Sequence, residues 1–183
     1  MKPDRTDKLI RIGVIADTHG LFDPAIIRHF KGVDHIIHAG DIGSRSVIER
    51  LEKIAPVTAV SGNVDEFEKS GWPRESLFTY DGLRIAVRHM LYERGRLTKD
   101  AEAWLNHTRP AVCIFGHSHR PTIGRYGQTV LFNPGSAGPQ RFSLPRGIGI
   151  LTISRKKILP RLVRLGDKED GSRKVYQRKE EDQ

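Results

Sequence analysis

Arg11-Ile12-Gly13-Val14-Ile15-Ala16-Asp17-Thr18-His19 is a β-like apolar run that stops at two residues able to bind a metal. Four more runs end the same way. His35-Ile36-Ile37-His38-Ala39 stops at Gly40-Asp41, and Val57-Thr58-Ala59-Val60 stops at Ser61-Gly62-Asn63. Leu83-Arg84-Ile85-Ala86-Val87-Arg88 stops at His89, and Ala111-Val112-Cys113-Ile114-Phe115 stops at Gly116-His117-Ser118-His119. In an open α/β sheet the carboxyl ends of the strands face one crevice, where ligands bind. Asp17, His19, Asp41, Asn63, His89, His117 and His119 would therefore converge. Two carboxylates, four imidazoles and one amide oxygen exceed the needs of one ion and suit two.

The segments between these runs define the architecture. Asp23-Pro24 reads as N-cap and first residue of a helix that turns Ile26, Ile27 and Phe30 to one face. Ser46-Val47-Ile48-Glu49 fits a capping box opening a helix through Lys53. Strand, helix, strand, helix, strand argues for βαβ units and a parallel core. Ser76–Tyr80 and Leu83–Val87 then flank Asp81-Gly82, a two-residue hairpin signal. Leu97, Ala101, Trp104 and Leu105 follow helical spacing. Beyond His119, Thr122–Tyr126, Gln128–Phe132, Gly147–Ser154 and Ile158–Leu165 read as antiparallel β. The expected result is an α/β fold: a four-layer α/β/β/α sandwich of two mixed β-sheets flanked by helices. One domain over 9–165 would lie between polar, disordered ends at 1–8 and 166–183.

Composition excludes several classes. No apolar stretch approaches the ~20 residues that span a bilayer, and the polar first eight residues lack a secretory core. Cys113 is the only cysteine, so no intrachain disulfide can form, and a cytoplasmic protein is expected. The net charge is +9, of which the 29 residues from Arg155 carry +4, with ten Lys or Arg against six Asp or Glu. A basic surface and tail suit nucleic acid, but no aromatic ladder interleaves the basic residues as a single-strand platform requires. The charge also serves a solvated extension.

Each motif is weak alone. Asp17-Thr18-His19 is a common tripeptide whose two ligands share one side if the segment is extended. Gly40-Asp41 and Gly62-Asn63 are ordinary turn chemistry. In this order, each at a strand end, the set resembles the calcineurin-like metallophosphoesterase superfamily, whose pattern runs Asp-x-His, Gly-Asp, Gly-Asn, His, Gly-His-x-His. The resemblance spans roughly Ile10 to Leu165. The short chain, Gly62-Asn63-Val64-Asp65 and Asn133-Pro134-Gly135-Ser136 are similar to the small phosphodiesterase branch.

The resemblance implies two divalent transition metals. Asp17, His19 and His119 would hold the first; Asn63, His89 and His117 the second, with the Asp41 carboxylate bridging. Manganese is the first choice, and iron, zinc, cobalt or nickel also suit imidazole with oxygen donors. A metal-bridging hydroxide would attack a small phosphodiester, with Asn63 also within reach of the phosphate. Two positions depart from the pattern. Met90 stands where glycine follows the fourth-strand histidine, and could crowd that ligand. Val64 replaces the histidine that in monoesterase branches assists the leaving group, which favours diesters. Two alternatives share the fold: a nuclease or nucleotide-processing phosphoesterase acting on RNA or DNA, and a non-catalytic scaffold such as the one in a eukaryotic membrane-trafficking coat.

The other candidates take plainer readings. His29 and His107 are helix-surface residues, His38 packs in the second strand, and His35 starts that strand away from the crevice. Asp65 pairs within its own loop, Asn133–Ser136 form a turn near the site, and Arg120 and Arg141 could reach a phosphate.

Overall fold

The first strand is apolar on both faces because both faces are covered. The computed structural model describes residues 9–66, 71–141 and 143–166. In it β1 (Ile10–Ile15) turns Ile12 and Val14 toward a second sheet and Ile15 toward helices. Around β1 stand α1 (Ala25–His29), β2 (His35–His38), α2 (Arg45–Glu52) and β3 (Val57–Ala59). The chain then crosses to β4 (Glu75–Tyr80), β5 (Leu83–Arg88), β6 (Tyr92–Glu93), β7 (Arg96–Leu97), α3 (Lys99–Thr108) and β8 (Val112–Ile114). It ends with β9 (Thr122–Tyr126), β10 (Thr129–Asn133), β11 (Gly147–Ser154) and β12 (Lys157–Arg164).

Two five-stranded mixed sheets result, in the orders β12-β11-β1-β2-β3 and β4-β5-β8-β10-β9, with β6-β7 a separate hairpin. In the first sheet β1, β2 and β3 are parallel, and β11 and β12 add antiparallel at one side. In the second, β5, β8 and β10 are parallel between the antiparallel edges β4 and β9. Three apolar clusters separate the layers. Ile26, Phe30, Val47 and Leu51 join α1 and α2 to the first sheet, and Leu105 and Ala101 join α3 to the second. Between the sheets lie Ile12, Val14, Ile37, Ile85, Val112, Ile114 and Phe132, all without solvent exposure. This is the expected four-layer sandwich. Each parallel trio ends at the same edge of the molecule, which is what gathers the polar termini of five strands.

Several local expectations need correction. The second helix is capped by Ser44, which accepts from Ser46 N at 3.3 Å; Ser46 lies inside the helix, so no capping box forms at 46–49. The first helix starts at Ala25, whose N–H is taken by the Asp23 carboxylate at 2.9 Å, with Pro24 in the cap position. Leu97 belongs to β7, and α3 starts after Thr98, whose hydroxyl accepts from Ala101 N. Asp81 and Gly82 form the expected hairpin turn, with φ of 50° and 74°. Cys113 is fully buried in β8, where burial pushes its thiol pKa up. No helix among the described residues is long and apolar enough to cross a membrane. The expectations for residues 1–8 and 167–183 fall outside the described residues.

Candidate metal centre

All seven expected ligands meet at this edge. One group holds Asp17, His19 and His119: His119 Nε2 lies 3.4 Å from Asp17 Oδ1 and 3.3 Å from His19 Nε2. A second holds Asn63, His89 and His117, with Asn63 Oδ1 at 3.1 Å from both His89 Nε2 and His117 Nδ1. Asp41 lies between them, its Oδ2 3.8 Å from His19 Nε2 and its Oδ1 3.3 Å from His89 Nε2. Asp17 also approaches the second group, with Oδ1 4.0 Å from His89 Nε2.

These donors face one another without protons enough to satisfy them. The Ala39 carbonyl lies 2.8 Å from His89 Nδ1, so Nδ1 carries the proton and Nε2 presents its lone pair to Asn63, Asp41 and Asp17. Among the described residues no guanidinium or ammonium pairs with Asp17 or Asp41. A cation in each group would turn these lone-pair contacts from repulsive to attractive, and hard oxygens mixed with imidazole suit a divalent transition metal. The carboxylates draw positive charge to this spot. Burial alone would depress His89, but a proton on Nε2 bonded to Asp41, together with the charges of Asp17 and Asp41, outweighs it and raises its pKa. That proton is the one a cation would displace. Burial would raise Asp41; the His89 bond and charge, the Val64 N–H and the His19 charge together outweigh that and lower it to about 2. Burial holds His19 and His117 below the usual histidine range, so both are ready as neutral ligands.

The local backbone is not what an alternating strand would give. Asp17 (φ 53°), His19 (46°), Asp41 (54°), His117 (68°) and His119 (56°) all adopt left-handed conformations. Asp17 and His19 are neighbours across a turn of alternating handedness, and the extended-segment reading of Asp-x-His is wrong. Asp and His enter this region more readily than most residues, yet each such residue costs on the order of 1–3 kcal/mol.

The surrounding structure holds these turns. Asp17 N–H donates to the Gly40 carbonyl and His19 N–H to that of Asp41, each at 2.9 Å. The Thr18 hydroxyl donates to the Ile42 carbonyl at 2.9 Å and accepts from His38 Nε2 at 2.9 Å. His38 is thus a packed strand residue, as expected, and also the support beneath Thr18; burial pushes its pKa down to about 3. Asn133 donates from Nδ2 to the Gly116 carbonyl and to Ser118 Oγ, while Ser136 Oγ donates to the Asp17 carbonyl. Two glycines are required by close approach. A Cβ at Gly62 would overlap Asp41 Oδ1, and one at Gly116 would lie 2.8 Å from Asp17 Oδ2.

Sequence reasoning missed one support. Asp65 does not stay within its loop: its carboxylate accepts from Ile42 N (3.0 Å), Gly43 N (2.8 Å) and Gly62 N (2.8 Å), tying the Asp41 loop to the Asn63 loop. Nothing in the local sequence signals a reach of 23 residues. Met90 is 38% exposed against 4% for His89, and His89 keeps its contacts, so Met90 does not crowd the ligand. Val64 is 46% exposed and donates its N–H to Asp41 Oδ1 at 3.0 Å. His35 bonds Thr58 and sits beside Phe78 and Tyr80, away from the centre. His107 is exposed on α3, whereas His29 is half-buried on α1. Arg141 is near enough to His19 to lower its pKa; Arg120 is exposed.

Comparison with known proteins agrees with this geometry. Residues 10–156 match the calcineurin-like phosphoesterase superfamily domain. The chain is 34% identical over 161 residues to a probable metallophosphoesterase of Methanothermobacter thermautotrophicus, covering 85% of this chain and 92% of that protein. Among solved structures, Vps29 of Entamoeba histolytica complexed with Zn²⁺ shares the fold at TM-score 0.73 and 19% identity, covering 89% and 95% of the two chains. A novel archaeal phosphodiesterase does so at TM-score 0.65 and 23% identity, covering 84% and 100%. The chain belongs to the calcineurin-like phosphoesterase superfamily.

Proposed function

We propose that this member of the superfamily is a binuclear metal-dependent phosphodiesterase. The observation that carries the reading is the place of Asp41, whose two oxygens face His19 in one donor group and His89 in the other. Asp17, His19 and His119 would hold one divalent ion and Asn63, His89 and His117 the second, with Asp41 reaching both and manganese the first candidate. Two such ions supply an acidified water and a clamp on the phosphoryl oxygens. The chain's own residues set the rest. The Val64 N–H fixes Asp41 Oδ1, and Asp65 fixes both loops on either side. Val64 offers no proton to a leaving oxygen, so esters with stabilised leaving groups should turn over fastest, and an alkoxide leaving from a nucleotide would have to take its proton from water. The archaeal phosphodiesterase of the same fold is in keeping with this reading. A non-catalytic scaffold has no use for seven converging donors over five strand ends, several of them in costly backbone conformations.

The test is a full-length protein reconstituted with Mn²⁺ and offered bis(p-nitrophenyl) phosphate, p-nitrophenyl phosphate, cyclic nucleotides and short RNA. The expected result is two ions per chain and preferential turnover of diesters, with ions and turnover both lost in Asp41→Asn. One ion or none after reconstitution, with hydrolysis indifferent to chelator, would overturn it.

A further inference from the structure

A groove of about 1130 Å³ opens beside the candidate metal centre, entered past His117 and Ser118. Its volume exceeds that of a pocket for a single small ligand. Its floor on the outer face of the second sheet is apolar and aromatic. Phe115 and Leu131 are each 3% exposed, and half-buried Tyr92 stands with its ring centroid 5.8 Å from that of Phe115. One wall is the β6-β7 hairpin with Arg94 and Gly95 at its tip; the other is edge strand β9, preceded by Arg120. At Gly124, opposite Leu131, the strand is bare, with nothing within 4 Å of a Cβ position, whereas Arg125 lies on the other face of β9 with Val130, which packs against the cluster between the sheets. Among the described residues neither Arg94 nor Arg120 has an acidic partner in hydrogen-bond or ion-pair contact, and Glu93 is the only carboxylate on the lining.

We infer that this groove is a nucleotide-binding subsite: it takes the nucleoside attached to the scissile phosphate and a second phosphate beyond it. The inference rests on the phosphodiesterase reading and names its substrate class, short single-stranded oligonucleotides. His117 belongs both to the donor set and to the groove lining, so a diester held there would have one of its two substituents within reach of the groove. What that substituent meets is an aromatic side chain with an apolar floor, and then guanidinium groups. This is the order base, then phosphate, along a strand, and a base stacks on an aromatic ring irrespective of sequence. Arginine matches a phosphate through its planar fork of donors. One aromatic residue serves one base, so the site suits a short strand; it is not the ladder of a long-strand binder.

Binding and turnover separate this inference from the reading beneath it. Fluorescence anisotropy with the full-length, chelated protein compares a labelled dinucleotide bearing a terminal 5′-phosphate with the same dinucleotide bearing a hydroxyl. The phosphorylated form should bind at least tenfold tighter, and the advantage should shrink with salt. Arg94→Ala and Arg120→Ala should each remove most of that advantage, and Arg94→Lys should restore part of it. Equal binding of the two dinucleotides, or an advantage untouched by both substitutions, overturns the subsite. In the Mn²⁺-loaded protein, the ratio of kcat/KM for the phosphorylated dinucleotide to that for bis(p-nitrophenyl) phosphate should fall in Arg94→Ala. A protein that hydrolyses the aryl diester but shows no such fall also overturns the subsite, while leaving the diesterase reading intact. A protein that turns over no diester overturns the diesterase reading, and with it the substrate class, whatever the anisotropy shows.

Discussion

Asp17-Thr18-His19 and His117-Ser118-His119 solve one geometric problem in two sheets. In each, two candidate ligands flank a hydroxyl residue, both have positive φ, and the hydroxyl is held by a fully buried side chain from the next strand. The supports differ in kind. His38 holds Thr18, and Asn133 holds Ser118. The settings differ too. Thr18 is fully buried and locked against the Gly40–Ile42 loop, whereas Ser118 is exposed and lines the groove. The first turn holds a fixed geometry, and the second is the one that a substrate in the proposed subsite would meet. They are joined where the His117 N–H donates to both oxygens of Asp17 at 3.1 Å.

That joint is where the comparison breaks most completely. Asp17→Asn keeps an acceptor for the His117 N–H but removes a ligand charge from both turns. Metal-dependent diester turnover should fall by on the order of 10³-fold or more, since the ions supply several kcal/mol of transition-state stabilisation. The melting temperature of the chelated protein should move little, while the rise produced by metal in the wild type should vanish. A variant that still gains stability from Mn²⁺ would show that Asp17 is not a ligand.

A weaker break lies behind the first turn. Asp65 accepts three backbone N–H groups, and Asp65→Ala leaves the buried one of Ile42 and the half-buried ones of Gly43 and Gly62 without their partner. The cost should be roughly 3–5 kcal/mol in urea unfolding of the chelated protein. Metal affinity should drop by on the order of 10–100-fold, because the Asp41 and Asn63 loops lose their common anchor. A change under 1 kcal/mol would mean that water replaces the carboxylate.

The difference between the two supports can be sharpened with pH. His38 titrates and Asn133 does not. In the folded protein the His38 pKa is about 3, against 6.5 when unfolded. Its neutral form therefore contributes fully above pH 6.5, and the contribution declines as pH falls from there toward 3. His38→Gln can still donate to Thr18 but cannot take up a proton. Near pH 7 the two proteins should be of similar stability, and at pH 5 the variant should have gained about 2 kcal/mol on the wild type. Parallel stability curves over pH 7–4 would show that His38 is charged in the native state.

Much of this site was legible because polar side chains at the ends of apolar runs have few other reasons to be there. Asp17, Asp41, His89 and the 117–119 pair were read from strand ends, and the two-sheet architecture from alternating strand and helix followed by strands alone. What the sequence hides is non-local or conformational. Asp65 reaches a loop 23 residues away, and β6 and β7 are two residues each, too short for a periodic signal. The left-handed turns were misread as extended, although Asp and His at alternate positions are among the residues that tolerate such backbone. The capping pattern points to Ser46 because Glu49 follows it by three residues, whereas Ser44 is followed by Val47; only the helix's own start decides for Ser44.

The smallest effect is expected at Val64, on the rim between the two turns. Its side chain is 46% exposed, so a histidine has room and Val64→His should leave stability unchanged within about 0.5 kcal/mol. Its backbone N–H would still donate to Asp41 Oδ1, so the metal groups should be undisturbed. What changes is the supply of a proton beside the leaving oxygen. In the wild type, rates should rise steeply as the leaving group becomes more acidic, with aryl diesters turned over well and alkyl monoesters slowly. The imidazole should narrow that gap by about tenfold, below the 10²–10⁴-fold of an optimally placed general acid, because an exposed ring is not held in line. A wild-type protein that hydrolyses alkyl monoesters faster than aryl diesters would already contain its acid, and the preference for diesters argued from Val64 would fall.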